Sequence, residues 1–192
     1  GYWAGDWWVQ SLAASLPVNI APMNLKKKTV LDVCCAPGGK SFQLADKGAI
    51  LTSIDKSERR LKLMKENLDR LNFDLDLICK DVFEYKPKNL FDIIVLDPPC
   101  TATGTIGKNP DLQFLKPLDK LEELLDIQRK MLKRCASWLR NGGYIIYSVC
   151  SLLKEEGEDQ ISRFLKNNKE FCLVYPKKKG YLDQEGYETN KE

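Results

Sequence analysis

The stretch Thr29-Val-Leu-Asp-Val-Cys-Cys-Ala-Pro-Gly-Gly-Lys-Ser41 decides the fold of this 192-residue chain. Its first half is an apolar run typical of a buried strand, and the Pro-Gly-Gly turn that follows separates this strand from a predicted helix at 40–47. Glycines let a ligand approach the backbone, and the next helix offers free N–H groups. Neither G-x-G-x-x-G nor a Walker pattern is present, since Cys34 stands where the Walker glycine is required. A ligand-binding turn and a plain strand–helix turn both stay open at this point.

Strand and helix patterns alternate along the rest of the chain. Apolar runs predict strands at 29–34, 49–55, 76–81, 91–97, 144–149 and 171–175. Periodic patterns predict helices at 10–16, 40–47, 57–71, 118–139 and 154–167. Ser57 is the expected cap of the third helix, and Asn141-Gly142-Gly143 is expected to end the fourth. This alternation predicts an α/β fold with a mostly parallel, doubly wound sheet.

The chain divides into three parts by composition. Residues 1–28 form a lead-in segment, residues 29–175 a single domain, and residues 176–192 a polar tail without a further strand. No apolar run reaches the roughly 18 residues of a membrane-spanning helix, and the start does not resemble a signal peptide. We therefore expect a cytoplasmic protein without a membrane partner, and a monomer.

Seven cysteines and no histidine restrict the chemistry. An odd number of cysteines, two of them adjacent, argues against a disulfide framework, and the lack of histidine and of a C-x-x-C pair argues against zinc. We expect reduced thiols and no bound metal. Catalysis must then use carboxylates, thiols, lysines, backbone groups or a cofactor. The net charge of +3 favours an anionic partner only weakly.

Acidic residues follow the second and third predicted strands. In doubly wound sheets, ligands bind at the carboxyl ends of the strands. Asp55 stands where an acid can accept hydrogen bonds from the ribose hydroxyls of a nucleoside cofactor. It can equally serve as an acid at the start of the next helix. The same two interpretations apply to Asp81.

Two cysteine motifs follow the fourth and fifth predicted strands. Asp97-Pro98-Pro99-Cys100 is a rigid loop that cannot continue the sheet, and Cys150 follows the fifth strand. These strands are expected to be neighbours, so Cys100 and Cys150 should converge on one pocket. A cysteine is often only a small buried hydrophobe. That interpretation suits the cysteines that lie within predicted elements, which are Cys79, Cys135 and Cys172.

At these residues the chain resembles the RNA cytosine-5 methyltransferases of the Sun/Fmu type, which include bacterial ribosomal-RNA and eukaryotic nucleolar members. The resemblance runs from about residue 5 to residue 175. The matching stretches are Gly5–Gln10, Leu31–Ser41, Asp55, Asp81, Asp97–Ile106 and Tyr147–Ser151, with Glu155 and Glu158 beyond. It implies the catalytic domain of such an enzyme, with a Rossmann-like S-adenosylmethionine-dependent methyltransferase fold that lacks its last strand. The implied cofactor is S-adenosylmethionine, and the implied partner is ribosomal or transfer RNA.

The resemblance also implies a role for individual residues. Cys150 would be the nucleophile that adds to C6 of cytosine, and Cys100 would help to release the enzyme afterwards. Asp97 would bind the edge of the base or the amino group of the cofactor. Asp55 would bind the ribose and Asp81 the adenine. The methionine end of the cofactor would lie against Cys34, Cys35, Ala36, Pro37, Gly38, Gly39 and Lys40.

Three other functions share parts of this pattern. A DNA cytosine-5 methyltransferase uses the cysteine after the fourth-strand proline and needs no Cys150. An amino-group methyltransferase carries an aromatic residue where Cys100 stands. A catalytically inactive RNA-binding scaffold with a methyltransferase-like fold remains the main alternative, and titration with S-adenosylmethionine would distinguish it.

Overall fold

The computed structural model describes residues 1–21, 23–115 and 120–175. The strands in this part of the chain are β1 Thr29–Val33, β2 Ile50–Asp55, β3 Asp76–Cys79, β4 Phe91–Leu96 and β5 Leu139–Tyr147. The α-helices are α1 Leu12–Asn19, α2 Gly39–Asp46, α3 Glu58–Leu71, α4 Leu112–Leu115, α5 Leu121–Ala136 and α6 Glu158–Asn167. The strands form one sheet in the order β3-β2-β1-β4-β5. Every pairing is parallel, so the predicted α/β doubly wound fold is confirmed.

The central strand β1 fixes where a ligand can bind. Val30 is in register with Leu51 of β2 on one side and with Ile93 of β4 on the other. The chain builds the sheet outward from β1 in both directions, so the strand order reverses between β1 and β4. Such a reversal opens a crevice at the carboxyl ends of the strands.

Helices cover both faces of the sheet. On one face α5 and α6 pack against β1, β4 and β5. On the other face α1 and α2 pack against β1, β2 and β4, and α3 packs beside them against β3 and the turn after β1. The residues of the first interface include Leu31, Ile94, Leu96, Met131, Leu132 and Cys135. Those of the second include Val18, Val30, Leu44, Ile93, Met64 and Leu68. Burial of one such aliphatic side chain contributes about 1.5–3 kcal/mol to the stability of the fold. Because these strands carry apolar residues on both faces, helices that cover both faces stabilise the sheet.

The start of α3 is as predicted. The Ser57 hydroxyl accepts a hydrogen bond from the Arg60 backbone N–H at 3.4 Å. The expected apolar stripe of this helix is buried, and its members are Leu61, Met64, Leu68 and Leu71.

The Asn141-Gly142-Gly143 segment does not end a helix, contrary to prediction. Helix α5 ends earlier, at Ala136, and these residues lie within β5. Gly142 has φ of 75°, and the register with β4 shifts between the pairs Phe91↔Leu139 and Ile93↔Tyr144. The glycines therefore form a bulge that lets β5 start early, and backbone hydrogen bonding to β4 outweighs the helix-ending tendency of the sequence. Residues 118–119 of the predicted helix lie outside the described residues.

The predicted strand at 171–175 is also wrong. These residues form no strand, and Leu173, Val174 and Tyr175 are exposed. Phe171 packs instead against Phe164 of α6, with ring centroids 5.1 Å apart. An apolar run becomes a strand only where a partner strand accepts it, and Phe171 is held by the helix. The predicted polar tail, 176–192, lies outside the described residues, and within the described ranges no helix is long and apolar enough to cross a bilayer.

The bulge in β5 has little space for a side chain at Gly143. A Cβ there would lie 2.7 Å from the Asp92 carbonyl oxygen and 2.9 Å from the Arg140 carbonyl oxygen. Gly143→Ala should therefore lower the free energy of unfolding by about 1–3 kcal/mol, measured by urea denaturation. Gly107→Ala is the matched control, because a Cβ there would have no heavy atom of the described residues within 4 Å. Equal stability of the two variants would show that the bulge tolerates a methyl group.

Candidate active site

A cleft of about 700 Å³ opens at the carboxyl ends of the strands. Its lining includes seven of the predicted site residues, namely Cys34, Ala36, Asp55, Asp81, Asp97, Cys100 and Cys150. The remaining predicted site residues lie outside the lining, and they are Cys35, Pro37, Gly38, Gly39 and Lys40. The structure thus brings together predicted residues at the ends of all five strands of the sheet. No group of three side chains suited to a metal ion is found in the part of the chain that the structure describes.

The turn after β1 is shaped by packing beneath the cleft. Cys35 is buried, and its sulfur lies 3.8 Å from that of Met64. Gly38 has φ of 109°, and a Cβ there would lie 2.9 Å from Met64 Cγ and closer still to the ring of Phe42. Glycine is required because the turn is left-handed at this position and because the ring lies directly against it.

Asp55 is a buried carboxylate that organises the same turn. It is 3% exposed. Its Oδ2 accepts a hydrogen bond from the Ala36 N–H at 3.2 Å, and its Oδ1 accepts from the Ser57 N–H at 2.8 Å and from Arg60 Nη2 at 2.9 Å. The bond from Ser57 belongs to the helix start, and the bond from Ala36 belongs to the cleft. The structure thus shows the helix-start role of Asp55 and places the residue in the cleft lining, and binding of the ribose stays a prediction.

Asp32 lies behind the cleft and not in its lining. It is 1% exposed, and the Ser41 hydroxyl donates a 2.5 Å hydrogen bond to its Oδ2. Its Oδ1 has no hydrogen-bond partner among residues 1–21, 23–115 and 120–175. Burial raises the pKa of Asp32 to about 7, against the opposing effects of the Ser41 hydrogen bond and the positive charge of Lys40. Asp32 thus holds a proton over much of the acidic pH range.

Lys40 reaches from the first turn of α2 to Asp97. Its Nζ lies 2.6 Å from Asp97 Oδ2, with side-chain exposures of 13% and 34%. This ion pair joins the loop after β1 to the loop after β4 across the crevice. Lys40 therefore affects the cleft through Asp97.

Cys100 and Cys150 converge, as the sequence predicted. Their sulfur atoms are 3.4 Å apart. Cys100 is 6% exposed, whereas Cys150 is exposed. The hydrogen bond with Cys150, and then burial, raise the pKa of the Cys100 thiol. A buried thiol that keeps its proton thus lies against a sulfur that solvent can reach.

The three cysteines predicted to be small buried hydrophobes differ in burial. Cys135 is fully buried among apolar side chains of α5 and the sheet, as expected of a small hydrophobe. Cys79 and Cys172 are exposed, so the same prediction is wrong for them. Cys79 ends a strand at the edge of the sheet. Cys172 lies in the segment that does not pair as a strand.

Sequence reasoning missed a buried polar network behind the cysteines. Glu156 is fully buried and contacts Thr101 and Gln128. Glu155 and Glu158, the two acids that the family resemblance singled out, are exposed. One signal was available. Gln128 lies on the apolar side of its helix, and a polar residue at such a position needs a buried partner.

Solved structures of similar shape define the class of protein. A Pyrococcus horikoshii NSun6 structure determined with SFG superposes with a TM-score of 0.78 at 29% identity, covering 86% of this chain and 44% of that one. A methyltransferase homologue from the same organism gives a TM-score of 0.72 at 29% identity, covering 86% and 53%. The fold is therefore that of the Rossmann-like, S-adenosylmethionine-dependent methyltransferases.

Sequence comparisons place the chain more closely. It belongs to the family described as 16S rRNA methyltransferase RsmB/F, whose model matches residues 19–190. Ribosomal RNA small subunit methyltransferase B of Shewanella oneidensis is 40% identical over 141 residues, which are 71% of this chain and 33% of that protein. The Vibrio cholerae protein of the same name is 35% identical over 172 residues, which are 86% and 39%. The chain thus spans between a third and two fifths of these two relatives.

The raised pKa of Asp32 makes stability depend on pH. Between its ordinary value of 3.8 and about 7, the folded protein holds a proton that the unfolded chain has lost. The free energy of unfolding therefore falls as pH rises from 3.8 to about 7, and above that range the whole loss remains. Asp32→Asn cannot ionise and should raise the free energy of unfolding at pH 8 by about 1 kcal/mol or more, with little change at pH 4.

Urea denaturation of the cofactor-free protein at both pH values measures the effect. The Ser41 hydroxyl can still donate to the asparagine oxygen, so the local hydrogen bond is preserved. The same stability difference at pH 4 and pH 8 would contradict a protonated Asp32.

Proposed function

We propose that this chain transfers a methyl group from S-adenosylmethionine to C5 of cytosine in RNA, with ribosomal RNA as the first substrate to test. The observation that carries this proposal is the 3.4 Å approach of the Cys100 and Cys150 sulfurs beside Asp97 in one cleft. Cytosine C5 is a poor nucleophile, and a thiolate that adds to C6 turns the ring into an enamine that attacks a methyl donor. Two thiols at one point suit a reaction that must make and later break such a bond.

The cleft suits a nucleoside cofactor. It lies at the reversal of strand order, and Asp55 and Asp81 line it at the ends of neighbouring strands. The side chains of Val82 and Phe83 supply apolar surface beside them for an adenine ring. When bound, S-adenosylmethionine supplies an electrophilic methyl group on a positively charged sulfur. Asp55 would accept from the ribose hydroxyls and Asp81 from the adenine, with the turn at 34–40 against the methionine end.

The two thiols have different tasks in this proposal. Cys150 is exposed, so its sulfur can form a bond to C6 of an incoming base. Cys100 is buried and keeps its proton, and it can donate a hydrogen bond that favours the thiolate of Cys150. After methyl transfer a water molecule takes the C5 proton, the electrons of the C5–H bond re-form the C5–C6 double bond, and Cys150 leaves C6 as a thiolate. Cys100 assists this release, and Asp97, held by Lys40, contacts the ring edge or the amino group of the cofactor.

RNA is the favoured substrate for two reasons. The relatives from Shewanella and Vibrio are named as methyltransferases of small-subunit ribosomal RNA. A second cysteine at Cys150 also distinguishes the site from that of DNA cytosine-5 methyltransferases, which use the cysteine after the proline. The target base must leave its stack to reach the cleft, which is easiest in single-stranded RNA.

Substitution of each cysteine tests the proposed roles. Cys150→Ala should abolish formation of 5-methylcytidine, because the bond to C6 cannot form. Cys100→Ala should instead accumulate protein covalently bound to RNA, because addition still occurs and release is slow. The assay incubates each purified variant with S-adenosylmethionine and a small-subunit ribosomal RNA transcript. Adducts are read on a denaturing gel and methylated nucleosides by mass spectrometry.

The remaining outcomes of this experiment are equally informative. Cys135→Ala is the control, since that buried cysteine lies in the core. If Cys150→Ala forms the adduct and Cys100→Ala does not, the roles are reversed. If the unsubstituted protein binds cofactor yet forms neither product, the proposed reaction or the RNA chosen is wrong. If it binds no cofactor, the inactive scaffold is favoured.

Cofactor binding tests the role of Asp55 separately. Asp55→Asn keeps the shape of the side chain but removes the charge, so the ribose hydrogen bonds weaken. The dissociation constant for S-adenosylmethionine should rise about tenfold or more, corresponding to about 1.5–3 kcal/mol for charge-assisted bonds. Isothermal titration calorimetry measures it, with the exposed Asp69→Asn on α3 as control. Unchanged affinity would leave Asp55 with its helix-start role alone.

A further inference from the structure

A buried carboxylate lies six positions after Cys150, outside the cleft lining. Glu156 ends the short 3-10 turn Lys154–Glu156 and is 0% exposed. Its neighbours Glu155 and Glu158 are exposed on the same segment. A carboxylate is removed from water only where other groups replace its hydration. Its partners therefore indicate what it is placed to hold.

The first partner of Glu156 is the residue that follows Cys100. The Thr101 N–H donates to Oε1 at 3.0 Å and to Oε2 at 3.3 Å, and the Thr101 hydroxyl donates to Oε2 as well. Burial alone would raise the pKa of Glu156, but hydrogen bonds from Ser151, Thr101 and Gln128 outweigh it and keep that pKa below its ordinary value. A charged carboxylate thus fixes the backbone directly beside Cys100.

The residue before Cys100 is held by the same network. Gln128 Nε2 donates to Glu156 Oε1 at 2.9 Å and to the Pro99 carbonyl oxygen at 3.0 Å. Gln160 Nε2 donates to Gln128 Oε1 at 3.2 Å, so α6 orients the amide that α5 supplies. Cys100 is therefore held on both sides, through Pro99 and through Thr101.

The Cys150 segment is joined to the Cys100 loop by direct contacts. The Ser151 hydroxyl lies 3.1 Å from the Thr101 hydroxyl and 3.2 Å from that of Thr103. The Gly104 N–H donates to the Cys150 carbonyl oxygen at 3.0 Å. The hydroxyl of Thr101 thus contacts Glu156 and Ser151 at once, and a shift of Thr101 would move the two cysteine segments relative to each other.

We propose that Glu156 is a positioning residue for the cysteine pair, holding the loop around Cys100 against the segment around Cys150 so that their sulfurs stay in contact. The assignment rests on the proposed function for its catalytic meaning, but its geometric content stands without it. Removal of the carboxylate leaves the Thr101 N–H without its acceptor and takes one of two partners from the Thr101 hydroxyl and from the Gln128 amide. The loop at 99–103 then loses its tie to the turn at 154–156, and the two thiols separate.

A chemical probe of thiol proximity tests the geometry without RNA or cofactor. Diamide accepts the two electrons and two protons released when two thiols join as a disulfide. The initial rate of the Cys100–Cys150 disulfide is measured by peptide mass spectrometry for Glu156→Ala, Glu156→Gln and the control Glu155→Ala. Glu155 lies in the same turn, carries the same charge and is exposed.

The expected rates follow from how many hydrogen bonds each variant keeps. Glu156→Ala should slow formation of this disulfide by about fivefold or more, because the effective concentration of one thiol near the other falls when the loops separate. Glu156→Gln keeps one acceptor oxygen and should fall between Glu156→Ala and the unsubstituted protein, and Glu155→Ala should match that protein. An unchanged or faster rate in both Glu156 variants would overturn the proposal. If Glu156→Ala does not fold, the Glu156→Gln rate decides alone.

Steady-state kinetics tests the catalytic consequence. Glu156→Gln should lower kcat for 5-methylcytidine formation about tenfold or more, since small misplacements of reacting groups have large effects on rate. The KM for RNA and the Kd for S-adenosylmethionine should stay within about twofold, because loss of a positioning contact acts on kcat. A rise in either constant with kcat unchanged would contradict a positioning role. If the unsubstituted protein forms no 5-methylcytidine, the proposed function fails, and the disulfide rates still decide the role of Glu156.

Discussion

The main-chain hydrogen bonds that pair β4 with β5 in parallel hold Leu96 in register with Tyr147. Both strands end at that level, so the loops that leave them run side by side. Cys100 and Cys150 lie a few residues beyond those ends, which is why two residues far apart in sequence meet at 3.4 Å. The bulge at Gly142 and Gly143 preserves this register, because it takes up the extra residues of β5 before the strand reaches Ile93.

Three carboxylates are buried in the described part of the chain, and their hydrogen-bond partners differ. Asp55 has a hydrogen bond to each oxygen and a partner in Arg60. Glu156 is bound by Thr101 and Gln128 and stays charged. Among the described residues only the Ser41 side chain donates to the Asp32 carboxylate, and Oδ1 has no partner there, so the proton is retained up to about pH 7. A buried charge is tolerated where donors replace water and is neutralised where they do not.

Much of the site could be predicted from sequence, because parallel sheets gather their strand ends at one edge. The positions of Asp55, Asp81, Asp97, Cys100 and Cys150 in one cleft follow from that rule. The rule does not extend to residues that act from behind the edge. Glu156 sits in a polar run between two other acids, and nothing in that run distinguishes the acid that is buried from those that are exposed.

The sequence by itself determined the strand–helix alternation, the cap at Ser57 and the convergence of the two cysteine loops, because these depend on local periodicity and one general rule of sheet topology. Only the tertiary structure decided the rest. It made Asn141–Gly143 a bulge and left residues 171–175 unpaired, because strands form only where a partner accepts their hydrogen bonds. It also buried Glu156 and left the neighbouring acids exposed, because burial of a carboxylate depends on donors that are distant in sequence, here Thr101 and Gln128.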